Sequence, residues 1–581
     1  MAVMTMIRTK IDDMLKLLKD KQRLTVDDVA RELKLEVKSV EKIAQILDKV
    51  GIVRLVYPIN VVAKAWLELK EFKKDESITQ PVGQLIDEYN ISGLRGHATG
   101  NVKIISSETD KRPMYFISMP QVSIATRAYF EGVKDEIAKL TPLEQTEIVK
   151  EDIKKGFDIR HKVIASVIEK DLVPEKRNLD ALCGILLREM YGLGEIEVLI
   201  ADDLLEEVII NSSHQPVAAY HRKHGWLKTN IQPKSEEEVE NYASQIARKI
   251  GKQISLLNPI LDAHLVSGDR VNSTLFPIST RGNTITLRLF ARNPWTIVSF
   301  LDKTNKVLSL EMAALLWQAI HYEMNVLISG GTARGKTSAL NAIVSLIPPF
   351  QRVISIEDTR ELSLPSYQWN WVPLVTRSPN PEGLGEVNML DLVVNSLRMR
   401  PDRIIMGEIR RKREAEVLFE AMHTGRSVYA TMHADTGTQT IKRLTEPPIE
   451  IPASEVEDVH LIMVQYRDRR KNLRRTLEIS EVAVGPSGPE VNHIYNWRAR
   501  TDQFQLVRAP RRYVEQMNLH TGMTEKEVAE DQEEKKSVLN WMLEQKLSQI
   551  EDVGAIMKIY YGDKDTLLKA VEKKLSPTKI I

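Results

Sequence analysis

Residues Gly330-Gly331-Thr332-Ala333-Arg334-Gly335-Lys336-Thr337 fit the spacing G-x-x-x-x-G-K-[ST] without a gap. Each residue type there serves phosphate chemistry. The glycines let backbone N–H groups turn inward around an anion. The lysine reaches the β- and γ-phosphates of a nucleoside triphosphate, and the Thr337 hydroxyl ligates Mg²⁺. Such a loop needs a strand before it and a helix after it. The apolar run Asn325-Val326-Leu327-Ile328 predicts a buried strand, and residues 338–346 carry apolar side chains at helical spacing until Pro348-Pro349. The helix N-terminus adds partial positive charge. Residues 330 to 338, Ser338 included, are therefore the expected nucleotide-binding set.

Three further apolar runs end in polar groups. Val353-Ile354-Ser355-Ile356 ends in Glu357-Asp358, Arg403-Ile404-Ile405-Met406 in Gly407-Glu408, and Ser427-Val428-Tyr429-Ala430-Thr431-Met432 in His433. Polar groups just past the carboxyl ends of parallel strands share one crevice with the ligand. Lys336, Glu357, Glu408 and His433 are expected to face the same triphosphate. Glu408 is expected to hold Mg²⁺ or its water, or to act in catalysis. Asp358 reads either as a site residue or as a helix N-cap.

Together these residues resemble the type II/type IV secretion ATPase superfamily, whose members drive pili, archaella, secretion and conjugation, with the archaeal branch nearest in character. Beside the P-loop, the Asp box looks like Ile356 to Leu362, the Walker B box like Arg400 to Arg410, and the His box like Thr424 to Ala434. Tyr191-Gly192-Leu193-Gly194, Glu206 to Asn211, Tyr220 to Trp226 and Thr284 to Arg288 look like the family's amino-terminal ATPase region, so the resemblance covers about residues 150–581. It departs at Arg426, where the His box usually has histidine, at Arg411-Lys412-Arg413, and at the bulky Arg334. The resemblance implies an α/β fold: a P-loop NTPase core with a RecA-like sheet, preceded by an α+β amino-terminal ATPase subdomain. It further implies ATP and Mg²⁺ as cofactors, a homohexameric ring, catalytic roles for Glu357, Glu408 and His433, and a membrane platform protein as partner. Which glutamate is the base stays open. A triphosphate transition state spreads negative charge that arginine can neutralise. Arg270 and Arg288, in what look like the last strands of the amino-terminal subdomain, are the candidates, with Arg398 and Arg400 beside them.

At 581 residues, three or four domains are expected. Apolar content of 43% with 28% charged residues suits a globular protein, and a net charge of +1 gives no global reason to expect nucleic acid. No apolar run is long enough to span a bilayer, and no signal peptide is visible. One cysteine, Cys183, excludes an intrachain disulfide and a tetracysteine zinc module and favours a reducing compartment; the resemblance implies a cytoplasmic location, peripherally associated with the inner face of the cell membrane.

At the amino terminus, Ile7, Ile11, Met14, Leu15 and Leu18 form a helical stripe, Thr25 caps a second helix to Leu33, and a third runs to Val50 before Gly51. With the alternating Ile52 to Val56, this spells a winged-helix domain over 1–58. A connecting α/β region is expected over 59–149, with loops at 73–77 and 106–111, a strand at Tyr115-Phe116-Ile117 and a helix over 124–140. The ATPase subdomains follow at 150–300 and 301–510, and a helical region at 511–581 with a capped helix from Thr524. The expected activity is ATP hydrolysis driving pilus-like filament assembly or type II/IV secretion. The alternative is a winged-helix P-loop ATPase that handles DNA, as in conjugation.

Overall fold

The computed structural model describes residues 6–58, 64–70, 83–92, 99–106, 112–141, 150–265, 268–290, 294–377, 379, 383–468, 470–471, 473–485 and 488–579. The loops expected at 73–77 and 107–111 lie outside them. The chain divides into two compact units, Met1–Phe290 and Ala291–Ile581.

The amino-terminal unit opens with three helices, Lys10–Lys21, Val26–Leu33 and Val37–Lys49, of which the first two are capped. Thr9 and Thr25 cap the first two by accepting from Ile11 and Asp28 backbone N–H groups. Arg23–Thr25, Trp66–Leu69 and Val53–Val56 form a three-stranded antiparallel sheet with Trp66–Leu69 in the middle. A boundary at 58 would therefore strip the central strand from its two partners. The helices are not a free-standing core either. Ile11, Leu18, Ile43 and Leu47 share one apolar cluster with Tyr129, Phe130, Ile164 and Leu182. Those residues lie on Ile124–Leu140, Lys150–Leu172 and Lys176–Tyr191. Buried Asp171 pins the joint by accepting from Tyr129 Oη and Lys42 Nζ, both at 2.6 Å. Cys183 sits in this cluster, fully buried, and burial pushes its thiol up to about 12.

The segment expected as a separate connecting region instead gives three strands to a nine-stranded sheet. Its order is Ile260–His264, Arg270–Thr274, Thr284–Arg288, Leu205–Ile210, Ala218–His221, Gly225–Thr229, Met114–Ser118, Thr99–Ile105, Leu85–Ser92. Buried Asp202 fastens the two sequence regions together, taking hydrogen bonds from Tyr89 and Tyr115 hydroxyls at 2.7 Å each. Hydrophobic periodicity reports faces of single elements, which is why the seam between distant segments escaped the sequence reading.

The carboxyl-terminal unit is built on a second nine-stranded sheet. Its order is Trp371–Val375, Val353–Glu357, Arg403–Met406, Ser427–Met432, Val326–Ser329, Leu461–Asp468, Leu473–Gly485, Gly488–Arg498, Gln503–Leu506. The first six strands are parallel and the last three continue as an antiparallel meander. Val326–Ser329, Val353–Glu357, Arg403–Met406 and Ser427–Met432 are buried at every residue, as parallel strands covered on both faces must be. One strand separates the phosphate-loop strand from Arg403–Met406. The helices Arg512–Thr521, Glu525–Glu544 and Ile550–Gly562 close one face of this core rather than forming a region apart. Leu310–His321 is their contact: Trp317 Nε1 donates to Tyr561 Oη at 2.9 Å, and Gln318 Nε2 to Asp531 Oδ2 at 2.7 Å. Among the described residues, no helix is long and apolar enough to cross a membrane.

Candidate active site

The phosphate loop joins Val326–Ser329 to the helix Lys336–Val344. Its turn needs left-handed backbone: φ is +154° at Gly330 and +89° at Gly335. A Cβ on Gly330 would come within 2.9 Å of the Gln465 carbonyl oxygen, so no other residue fits there. Ala333 also takes a positive φ, +59°, and its carbonyl accepts from Arg467 Nη1 at 3.3 Å. Arg334, the departure noted in the motif, reaches Asp435 at 2.9 Å, two residues past His433. The loop is thus braced against the strand ends on both of its sides.

Lys336, His433 and Glu408 form a chain of contacts. Lys336 Nζ lies 3.2 Å from His433 Nδ1 and 3.3 Å from the Gly331 carbonyl oxygen. His433 Nε2 lies 2.9 Å from Glu408 Oε1. Burial, and then the charge of Lys336, lower the proton affinity of His433. The neutral ring so favoured accepts from Lys336 at Nδ1 and donates from Nε2 to Glu408. Burial likewise lowers Lys336 itself. Glu408 Oε2 accepts from Arg410 Nε at 3.0 Å and Nη2 at 2.9 Å. Arg410 also grips Asp358, whose carboxylate takes a further bond from Thr376. Asp358 is therefore an ion-pair partner and caps no helix.

Glu357 has different surroundings. It is 2% exposed, and its Oε1 accepts from the backbone N–H groups of Glu361 at 2.9 Å and Leu362 at 3.0 Å. Its Oε2 is buried with no hydrogen-bond partner. Burial pushes the carboxyl up to about 7 against those two donors. The Gly407-Glu408 turn runs alongside: a Cβ on Gly407 would stand 3.4 Å from Glu357 Cγ. Gly407 N–H donates to the Ile356 carbonyl at 2.8 Å, and Thr431 Oγ1 donates to the Gly407 carbonyl at 2.6 Å. Three strand ends are tied together there.

The arginine candidates have surroundings of their own. Arg270 and Arg288 stand opposite each other on neighbouring strands of the amino-terminal unit, and Arg270 is paired with Asp262 at 2.9 Å. Arg398 ends the helix Met389–Leu397, and Arg400 takes a left-handed φ of +53°. Arg426 donates to Thr424 at the start of the strand whose far end carries His433, so the His-box departure leaves that histidine's surroundings intact. Arg410, Asp435 and Arg467 were missed as functional neighbours. Arg410 could have been found, since a basic residue two positions beyond a carboxylate in an extended segment shares its side. The reach of Asp435 and Arg467 depends on strand order.

A family model described as type II/IV secretion system protein matches residues 220–549, more than half of the chain. The chain belongs to this family. Among its relatives, uncharacterized protein MJ0900 of Methanocaldococcus jannaschii is 31% identical over 431 residues, covering 70% of this chain and 76% of its own. The putative conjugal transfer protein Rv3659c of Mycobacterium tuberculosis is 30% identical over 268 residues, 45% of this chain and 74% of its own. The type IV secretion system protein VirB11 of Bartonella henselae is 26% identical over 334 residues, 51% of this chain and 92% of its own. All four boxes of this secretion-family protein fall within the matched segment.

Proposed function

We propose that this secretion-family protein hydrolyses ATP and converts the cycle into movement that powers filament assembly or type II/IV secretion at the cytoplasmic membrane. The observation that carries this reading is the contrast between the two glutamates at adjoining strand ends. Glu357 is buried, has an orphaned oxygen and titrates near 7, which suits a general base working at neutral pH. Glu408 instead has both carboxylate oxygens engaged, one by His433 Nε2 and the other by Arg410, which fixes it at its strand end as a positioned oxygen donor. We therefore assign the base to Glu357 and the metal side to Glu408.

Mg²⁺ takes hard oxygen ligands, usually one or two from protein beside phosphates and water. The Thr337 hydroxyl and the Glu408 carboxylate are such a donor pair, and the ion would supply charge neutralisation at the phosphates. The loop backbone would cradle the phosphates, and Lys336, released from His433, would reach the γ-phosphate. His433 would then hold Glu408 in place through Nε2. Arg288 and Arg270 would complete the charge neutralisation from the amino-terminal unit. A homohexameric ring, a membrane platform partner and a winged-helix end belong to the same reading, resting on the family and on the helix and strand order of residues 10–69.

The test is phosphate release together with nucleotide binding. Glu357→Gln and Glu408→Gln should both bind ATP and hydrolyse it poorly, with only the second changing the Mg²⁺ dependence. Full turnover by Glu357→Gln would remove it as the base. A conjugation-type role is the second reading, favoured by the 30% identity to a putative conjugal transfer protein.

A further inference from the structure

The sheet of the carboxyl-terminal unit does not stop at the phosphate loop, and its strand directions fix where the next turns lie. Leu461–Asp468 runs parallel to Val326–Ser329, so Asp468 ends at the same sheet edge as the loop. Leu473–Gly485 starts from that edge, Gly488–Arg498 returns to it, and Gln503–Leu506 leaves it again. Asp468, Arg470 and Lys471 between the first two of these strands, and the turn at 498–503, therefore prolong the nucleotide edge. They are fastened together. Asp502 accepts from Arg475 at 2.7 and 2.9 Å and from Trp497 Nε1 at 2.9 Å, and the Tyr466 and Trp497 rings pack 5.4 Å apart.

On this frame Arg470, Lys471, Arg498 and Arg500 are exposed. The two acids of the turns are committed locally. Asp468 takes the backbone N–H groups of Arg470 and Lys471, and Asp502 is held by Arg475 and Lys306. Arg470 Nε also lies 3.7 Å from Asp468 and Arg498 Nε donates to Gln505, yet all four cations stay exposed on a rim whose two carboxylates are already paired. A protein partner would need an apolar centre, and an inserted membrane anchor would need apolar tips. Among the described residues, no large hydrophobic is exposed in either turn. Tyr466 and Trp497 pack on each other, so neither ring is splayed to receive a base. Charge without apolar or base-reading surface suits a phosphate backbone, contacted independently of sequence.

We propose that this rim docks the phosphate backbone of a nucleic acid alongside the nucleotide site. The assignment stands whether or not the protein hydrolyses ATP. The test is fluorescence anisotropy of the full chain with a labelled 20-base-pair duplex and its single strand between 50 and 200 mM NaCl. Four phosphate contacts give a log–log slope near −3.6 for duplex, about 150-fold weaker binding across that range. Replacing Arg470, Lys471, Arg498 and Arg500 by alanine should abolish most of that slope while ATP turnover without nucleic acid stays unchanged. The arginine-to-lysine variant R470K/R498K/R500K should retain the slope, because each contact needs charge alone, and it serves if the alanine variant fails to fold. Absence of binding at 50 mM salt, or equal binding by the alanine variant, overturns the proposal. So does displacement of the duplex by polyglutamate or by phosphatidylglycerol vesicles as effective as displacement by unlabelled duplex.

Discussion

Replacing Glu357 by glutamine should alter stability and activity along the same pH axis, and the size follows from its burial. A carboxyl that titrates near 4.5 in the unfolded chain and about 7 in the fold binds its proton more tightly when folded. Its contribution to stability is fully present below 4.5 and is lost as pH rises through 7, a change of about 3 kcal/mol. Glutamine cannot ionise, so the variant loses that slope. It keeps an oxygen for the Glu361 and Leu362 donors but puts an unpaired amide where Oε2 is buried, at a pH-independent cost of about 1–3 kcal/mol. Denaturant midpoints of both proteins at pH 5 and pH 8 should therefore show the variant gaining about 2.5 kcal/mol relative to wild type at the higher pH, since part of the change is already complete at pH 5. Wild-type kcat should rise with an apparent pKa near 7, while the variant stays nearly inactive throughout. A stability difference that is flat between pH 5 and 8 would refute the argument, since it would mean Glu357 ionises like an exposed carboxylate.

Lys336→Ala removes the charge that faces His433 Nδ1 and should weaken nucleotide binding and turnover together; near-normal hydrolysis would undo the phosphate-loop assignment. Arg334→Ala and Asp435→Asn should each weaken nucleotide binding a few-fold, with a double mutant no worse than either single, because both break one brace; strictly additive losses in titration calorimetry would separate the two residues. Arg288→Ala should slow turnover far more than it weakens ATP affinity, read as a fall in kcat at constant Kd; an unchanged rate takes it out of the site. Light scattering should show a larger assembly with a non-hydrolysable ATP analogue than without, whereas a monomer with concentration-independent activity argues against a ring.

The local parts of the site were legible because their chemistry is written in short windows. Strand, glycine turn, lysine and threonine at 325–338 lie within one apolar-to-polar transition, and Glu357, Glu408 and His433 each follow a buried strand. Relations across the sheet were not legible. Nothing within the sequence near Arg334 announces Asp435, and nothing near Trp66 announces that it pairs with Thr25 and Val56 at once. The even charge balance of +1 also concealed the rim, since its four cations gather only when two turns meet at one sheet edge. The amino-terminal helices were readable singly from their caps and stripes. Their shared core with residues 124–191 was not, because partners more than a hundred residues away leave no periodic trace.

Cys183 has a practical consequence for following this molecule in motion. As the only thiol in the chain, closed off from water and raised to about 12, it offers no thiolate to maleimides or iodoacetamides at neutral pH. A single cysteine placed on an exposed position away from the site, such as Glu240 in the first unit or Ser537 in the second, would be the sole labelling site without removing a native cysteine. Two such cysteines, one in each unit, would carry a donor and acceptor dye, and the wild-type chain would serve as its own unlabelled background for distance measurements through the nucleotide cycle.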